Sequence, residues 1–210
     1  ASGDGLKRIL ESLGVDADSS AMIMVISALR DLLIATTSVP SDKVILLPNN
    51  SNIILAATQA KELSDKHVMV VPTKTVPEGI SALLAFNYQA DLETNLKLMS
   101  EAANYVRTAE ITKAVRSVQI NGLAVSKGQF IGSLDGDLLT HGEDLFSVVD
   151  KLLSRVDITD YEIVTIYYGK DVSSEQADTL AESIQQSYPC FRVQSPHRGQ
   201  AYYYYVISTE

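Results

Sequence analysis

Basic residues are scarce and scattered in this chain. It carries 17 Lys and Arg against 26 Asp and Glu, a formal charge of −9, and its cations nowhere form a run. Phosphate backbones and anionic membrane surfaces are held by clustered Lys and Arg, so no nucleic-acid partner is expected. Cysteine is nearly absent. Cys190 stands alone, which excludes an internal disulfide and a cysteine-based zinc cluster and fits a cytoplasmic address. Long hydrophobic runs are missing as well: residues 21–26 are too few to span a bilayer, and Ala1-Ser2-Gly3-Asp4-Gly5 is no charged lead into an apolar segment. Direct membrane insertion is not expected.

The sequence marks of catalysis are lacking too. There is no Gly-x-Ser-x-Gly elbow, no Walker loop, and no Gly-x-Gly-x-x-Gly turn after an expected strand. His67, His141 and His197 lie far apart, without an Asp, Glu or Cys at metal-ligand spacing. No catalytic residue, metal or cofactor is therefore expected. Gly3-Asp4-Gly5 is the nearest thing to a phosphate cradle, and it reads better as a turn followed by a helix cap.

What is present points to a folded α/β chain. A hydrophobic share of 46% with 20% charged residues is ordinary for a globular protein, and 210 residues suit one large domain or two small ones. The first residue is not Met, and the turn-like opening suits a piece of a longer protein. Leu6, Ile9, Leu10 and Leu13, followed by Gly14, predict a helix over 4–13. Residues 21–26 read either as a buried strand or as the start of a helix continuing through Leu29, Leu32 and Leu33. Pro40 stops any such helix. Aliphatic runs at 43–47 and 67–71 predict parallel strands buried on both faces, each followed by a Pro-containing loop and a helix, over 53–63 and 78–86. A further helix is expected over 91–106.

After that helix the texture changes. Residues 112–140 alternate and are punctuated by Asn121-Gly122, Lys127-Gly128 and Asp135-Gly136, the pattern of antiparallel hairpins. Helices over 144–153 and 174–187 and strands over 161–167, 191–194 and 202–208 complete the chain. The expected organisation is a parallel α/β domain over 1–88 and a smaller α+β domain with an antiparallel sheet over 89–210.

Ligands of parallel sheets bind beyond the carboxyl ends of the strands. There the sequence places Asn49, Asn50, Ser51 and Asn52 on one loop and Thr73, Lys74 and Thr75 on the next. Asn49, Asn50, Asn52, Thr73, Lys74 and Thr75 are thus the candidate ligand- or partner-binding residues. The competing reading is structural: asparagines cap helices and tolerate left-handed backbone, and the Thr-Lys-Thr segment is a polar loop. Cys190, between Pro189 and Phe191, reads as a small buried hydrophobe. Four tyrosines, residues 202–205, read as a strand showing rings to both faces, either buried or in an interface.

Several segments together resemble one family. Gly3-Asp4-Gly5-Leu6 with Leu13-Gly14-Val15-Asp16, the run Ile45-Leu46-Leu47-Pro48-Asn49-Asn50-Ser51-Asn52-Ile53, and Val71-Pro72-Thr73-Lys74-Thr75-Val76-Pro77-Glu78-Gly79 are similar to blocks of the C-terminal domain of the ATP-binding subunit of bacterial fatty acid kinase. So are Ile111-Thr112-Lys113-Ala114-Val115-Arg116 and the ending from Gly199 to Ser208. The resemblance implies a DegV-like fold in a modular DhaL/DegV-type protein. It also implies a non-catalytic module that helps dock a separate fatty-acid-binding partner subunit for acyl phosphate formation, or that pairs with a copy of itself. The alternative it leaves open is a fatty-acid-binding protein of the DegV type.

One departure stands out. Family members carry a polar Gly-Gly-Gln-Thr-Met-Asn-Pro-Ser-Thr loop, whose counterpart in related lipid binders contacts the acyl carboxylate. Here the equivalent residues are Ala21-Met22-Ile23-Met24-Val25-Ile26-Ser27-Ala28-Leu29. Those side chains supply almost no hydrogen bonds to an anion, so anion binding is not expected there.

Overall fold

The computed structural model describes residues 29–120, 123–157, 160–200 and 203–210. The expected helix over 4–13, the Gly3-Asp4-Gly5 turn, the segment 21–28, the Asn121-Gly122 turn and Tyr202 lie outside the described residues. The described chain forms two compact units that divide between Val106 and Arg107.

The first unit opens with α1 (Leu29–Ser38), the helix that Pro40 follows, and then runs β1 (Lys43–Leu46), α2 (Ser51–Leu63), β2 (His67–Val70), α3 (Val76–Leu84) and α4 (Leu92–Tyr105). β1 and β2 pair in parallel, Lys43 opposite His67 and Leu46 opposite Val70. Alternation along a strand sends successive side chains to opposite faces. Leu46 and Val70 pack with Leu32, Ala57 and Ala60 of α1 and α2. On the other face Ile45, Leu47 and Val71 pack with Ala82, Met99 and Ala103 of α3 and α4. The strand pair is covered on both sides, as its unbroken aliphatic sequence requires.

Helix starts follow the capping side chains. Asp91 accepts the Thr94 N–H at 2.7 Å and so opens α4. Asn95, 2% exposed, closes the preceding loop: its Oδ1 accepts the Asn87 N–H at 2.7 Å and its Nδ2 donates to the Asn87 and Asp91 carbonyls at 2.9 and 3.1 Å. A buried amide is tolerable only when its donors and acceptor are used, and here they are.

The second unit contains β3 (Arg107–Lys113), β4 (Val118–Ile120), β5 (Leu123–Val125), β6 (Phe130–Leu134), β7 (Asp137–Gly142), α5 (Leu145–Leu153), β8 (Ile163–Gly169), α6 (Ser174–Ser187), β9 (Arg192–Gln200) and β10 (Tyr205–Thr209). Six strands make one sheet in the order β7-β6-β3-β10-β8-β9, antiparallel except for the β8–β9 pair, and β4 and β5 form a separate hairpin. The β6–β7 turn is Asp135-Gly136, both with positive φ, 52° and 90°, which matches the twist of a two-residue hairpin. Asp135 also pairs with Arg107. Ile111, Ile166, Tyr205 and Ile207 of the sheet bury against Val148 and Leu152 of α5 and Leu180 and Ile184 of α6. The α6 start is a full capping box, Ser173 with Gln176.

Four readings change, the first being the strand expected over 191–194, which runs over Arg192–Gln200 in parallel with β8. The strand expected over 161–167 lies two residues later: Glu162 bonds the Glu210 carbonyl and the Arg192 N–H at its edge, but the paired register begins with Ile163 opposite Arg192. Of the described tyrosines in the run, only Tyr205 is in a strand. Tyr203 and Tyr204 precede it, and Tyr204 stacks edge-on to Phe130 while both rings receive the Lys113 ammonium. Cys190 is exposed: in the short α6–β9 turn it is Phe191, 1% exposed, that takes the core position.

The α5–sheet contact leaves no room at Gly132, where an added methyl would lie 2.7 Å from Leu152 Cδ1 and 2.9 Å from Val148 Cγ1. Gly132→Ala is expected to destabilise the protein by about 1–3 kcal/mol in chemical denaturation, and pairing it with Val148→Ala should cost less than the sum of the two. A second expectation concerns alkali. Burial pushes the Tyr205 hydroxyl up to about 12; burial, then the Asp150 carboxylate that accepts its hydrogen bond at 2.8 Å, does the same for Tyr188. The folded state favours the neutral phenols, so stability is intact below the ordinary value of 10.0 and is lost as pH rises toward 12. Tyrosinate absorbance should therefore rise late and together with loss of circular dichroism, and Tyr188→Phe should remove one late-titrating phenol.

Candidate functional site

The parallel pairing of β1 and β2 brings the loops that follow them to one edge of the sheet. Asn49, in the first loop, has φ +53°, a left-handed conformation that asparagine accepts more readily than most residues. Its N–H donates to Thr73 Oγ1 at 3.0 Å, and Thr73 Oγ1 donates to Asn49 Oδ1 at 2.8 Å. Thr73 is 0% exposed, so its hydroxyl is committed to the neighbouring loop. Gly79, in the first turn of α3, makes the fit possible: a Cβ there would lie 2.0 Å from Asn49 Oδ1.

The flanking candidates serve the helices. Asn50 is the N-cap of α2 and its Oδ1 accepts the Asn52 N–H at 2.9 Å. Thr75 is the N-cap of α3, accepting the Glu78 N–H at 3.4 Å. Glu78 Oε2 accepts the Lys74 N–H at 2.6 Å, so a carboxylate already occupies the positive end of α3, where such a charge is favoured. Six candidates thus sort by geometry. Asn49 and Thr73 clasp one another, Thr75 is buried under its helix, and the side chains of Asn50, Asn52 and Lys74 are exposed.

Glu78 and Gly79 were not among the candidate residues. Thr75-x-x-Glu78 ahead of an apolar run is a readable capping signal, but the contact between Gly79 and Asn49 is tertiary and leaves no local trace. A second polar set lies on the 107–210 unit, on the face of its sheet turned from α5 and α6. Tyr203 is pushed up to about 12 by burial and then by Glu110, to which it is hydrogen-bonded. Burial also raises the Glu210 carboxyl, against a bond from Ser208 Oγ at 3.2 Å. Only strand register assembles these groups, with Glu110 opposite Val206 and Ser208 opposite Thr165. Among the described residues no group of three His, Cys, Asp or Glu is placed to hold a metal ion, and no helix is long and apolar enough to cross a membrane.

Removing the Thr73 hydroxyl strands two groups of Asn49 at once. Thr73→Val is expected to cost about 1–3 kcal/mol in denaturation experiments, whereas Thr73→Ser, which keeps the hydroxyl, should lose clearly less.

Comparison with known proteins gives the fold and family. The chain is 38% identical over 210 residues to protein YloV of Bacillus subtilis, covering 100% of this chain and 38% of that protein. It therefore spans under two fifths of that relative's length. Among solved structures it is similar to the DegV family protein Cg2579 of Corynebacterium glutamicum, with a TM-score of 0.60, 16% identity, and coverage of 87% of this chain and 81% of that one. It is likewise similar to the fatty acid kinase (Fak) B3 protein of Streptococcus pneumoniae loaded with linoleic acid, with a TM-score of 0.62, 11% identity, and coverage of 87% and 75%. The fold is DegV-like α/β. Residues 1–210 match the FakA-like C-terminal family of fatty acid kinase, and the chain belongs to that family.

Proposed function

We propose that this chain is the non-catalytic C-terminal module of a fatty acid kinase subunit, and that it docks a separate fatty-acid-binding subunit whose acyl chain becomes an acyl phosphate. Phosphoryl transfer then belongs to another part of the longer protein and to the docked subunit, in the cytoplasm. The observation that carries this reading is the division at the sheet edge. Thr73, Thr75 and Glu78 are buried and bonded within the chain, and the Glu78 carboxylate takes the place at α3 that an acyl carboxylate would need. A second carboxylate beside it meets like charge in a desolvated setting. Asn50, Asn52 and Lys74 remain outward, as donors and a cation for a protein surface.

Calorimetry of this chain with a Fak B-type subunit is expected to show saturable heat, weakened about tenfold by Lys74→Glu, since a rim charge reversal opposes encounter with a complementary surface. No heat at concentrations where the longer parent protein binds overturns the docking reading. The second reading, a fatty-acid binder in its own right, is favoured by the fold shared with the linoleic-acid-loaded Fak B3 protein. Native mass spectrometry of the chain purified from bacteria decides it: an added mass matching a fatty acid supports it, and a bare chain rejects it.

A further inference from the structure

A cavity of about 350 Å³ opens in the 107–210 unit. Its walls come from three elements: Leu123 of β5, Leu139, Thr140 and His141 of the edge strand β7, and Lys151, Ser154 and Arg155 at the end of α5. Lys151 lies in the last turn of α5, and its C-cap Ser154 and the following Arg155 line the same cavity. That volume is within the range of small-molecule sites.

The charge of this cavity is unusual for the chain. Overall the chain carries −9, yet two cations and a histidine meet here. Among the described residues neither Lys151 nor Arg155 is in an ion pair. The adjacent carboxylate, Asp150, is taken up by the Tyr188 hydroxyl at 2.8 Å. The α5 carbonyl end accounts for a cation at Lys151, in its last turn. It does not account for His141 on a strand or for two leucines facing the same space.

The histidine's tautomer follows from its partner. Gln129 Oε1 accepts the Ser126 N–H at 2.9 Å, which fixes the amide oxygen, and His141 Nδ1 lies 3.1 Å from that same oxygen. Nδ1 therefore carries a hydrogen, and Nε2 of that neutral ring is an acceptor, able to take the P–OH of a singly ionised phosphate head but not to donate to an oxyanion.

We propose that this cavity binds a small amphiphilic anion, its phosphate or carboxylate head held by Lys151 and Arg155 with His141 alongside, and its apolar portion lying on Leu123 and Leu139. The site is independent of the docking reading. Two cations four residues apart at the end of α5 suit an oxyanion, Arg155 through its planar fork and Lys151 as a point charge. The leucine wall adds what a bare phosphate cannot use, since burying apolar surface favours a ligand with a hydrocarbon part.

The test is a nuclear magnetic resonance titration of the 210-residue chain with octyl phosphate, octanoate, octanol and inorganic phosphate. Saturable shifts at Leu123, Leu139 and His141 are expected with octyl phosphate or octanoate, and the tighter of the two identifies the head group. The double variant Lys151→Ala with Arg155→Ala should bind about tenfold more weakly, what two half-exposed ion pairs supply. Both side chains are exposed, so resonances of the β8–β9 side should stay unchanged and report an intact fold. Absence of saturable shifts with both anions overturns the proposal. So do equal shifts with octanol, binding undiminished in the double variant, or inorganic phosphate binding as tightly as octyl phosphate.

Discussion

The Thr73 hydroxyl sits between two loops and uses both of its capacities there, accepting from the Asn49 backbone and donating to the Asn49 amide. Parallel neighbours lie only about 4.8 Å apart, so whatever follows β1 and β2 must share a narrow edge. One side chain joining the two exits fixes where each chain leaves the sheet. Asn50 then caps α2 one residue after Asn49, and Thr75 caps α3 two residues after Thr73. Those starts aim α2 at Leu46 and Val70 and α3 at the opposite face with Val71 and Met99. The left-handed backbone of Asn49 and the bare Cα of Gly79 are the local conditions for this arrangement.

The same geometry decides what chemistry the edge can offer. Open parallel sheets bind ligands beyond their strand ends because backbone groups and helix N-termini converge there. In this chain much of that capacity is used internally, by Glu78 at the positive end of α3 and by Asn50 over α2. What stays outward is amide groups and one ammonium, able to bond a protein surface without burying a charge. An edge of this kind keeps the architecture of a ligand site while its polar groups serve the fold.

Features legible in the sequence were those written within a few residues. The parallel strands showed as unbroken aliphatic runs, the helix starts to within a residue as Asn50 or Ser51 and Ser173 or Ser174, and Asp135-Gly136 as a hairpin turn. Each is set by backbone conformation or by the first turn of an element. Tertiary competition decided the rest. Four adjacent tyrosines look like a strand, yet of those described only Tyr205 is a strand residue, with Tyr204 bonding Ile111 and Gly169 just before the strand begins. Cys190 looks buried beside Phe191, but a short turn can turn only one of them inward, and the larger apolar ring gains more. At the sheet edge the adjacency of the two candidate loops was legible from the expected parallel strands. The division of the six candidates into buried clasp and exposed rim was not, because it rests on a contact across 24 residues. The cavity of Leu139, Lys151 and Arg155 left no motif at all, since strand and helix supply separate parts of it.

The net charge adds a constraint that acts at a different range from any of these contacts. An excess of nine negative charges opposes the approach of any anion, although beyond a Debye length, about 8–10 Å at ordinary salt, that repulsion is largely screened. Inside that distance local groups dominate, and only a site with unpaired cations and no facing carboxylate turns the balance. Among the described residues Lys151 and Arg155 are in no ion pair, and the adjacent Asp150 is bonded to Tyr188. Lys74 meets that condition less well, with Glu78 bonded to its own backbone N–H. Added salt weakens the distant repulsion first and the contacts within a few Å last, so moderate ionic strength removes more of the barrier to approach than of the attraction at contact. On an acidic chain the proposed cavity thus depends on contact-range attraction, whereas a docked protein surface at the sheet edge can add several contacts at once.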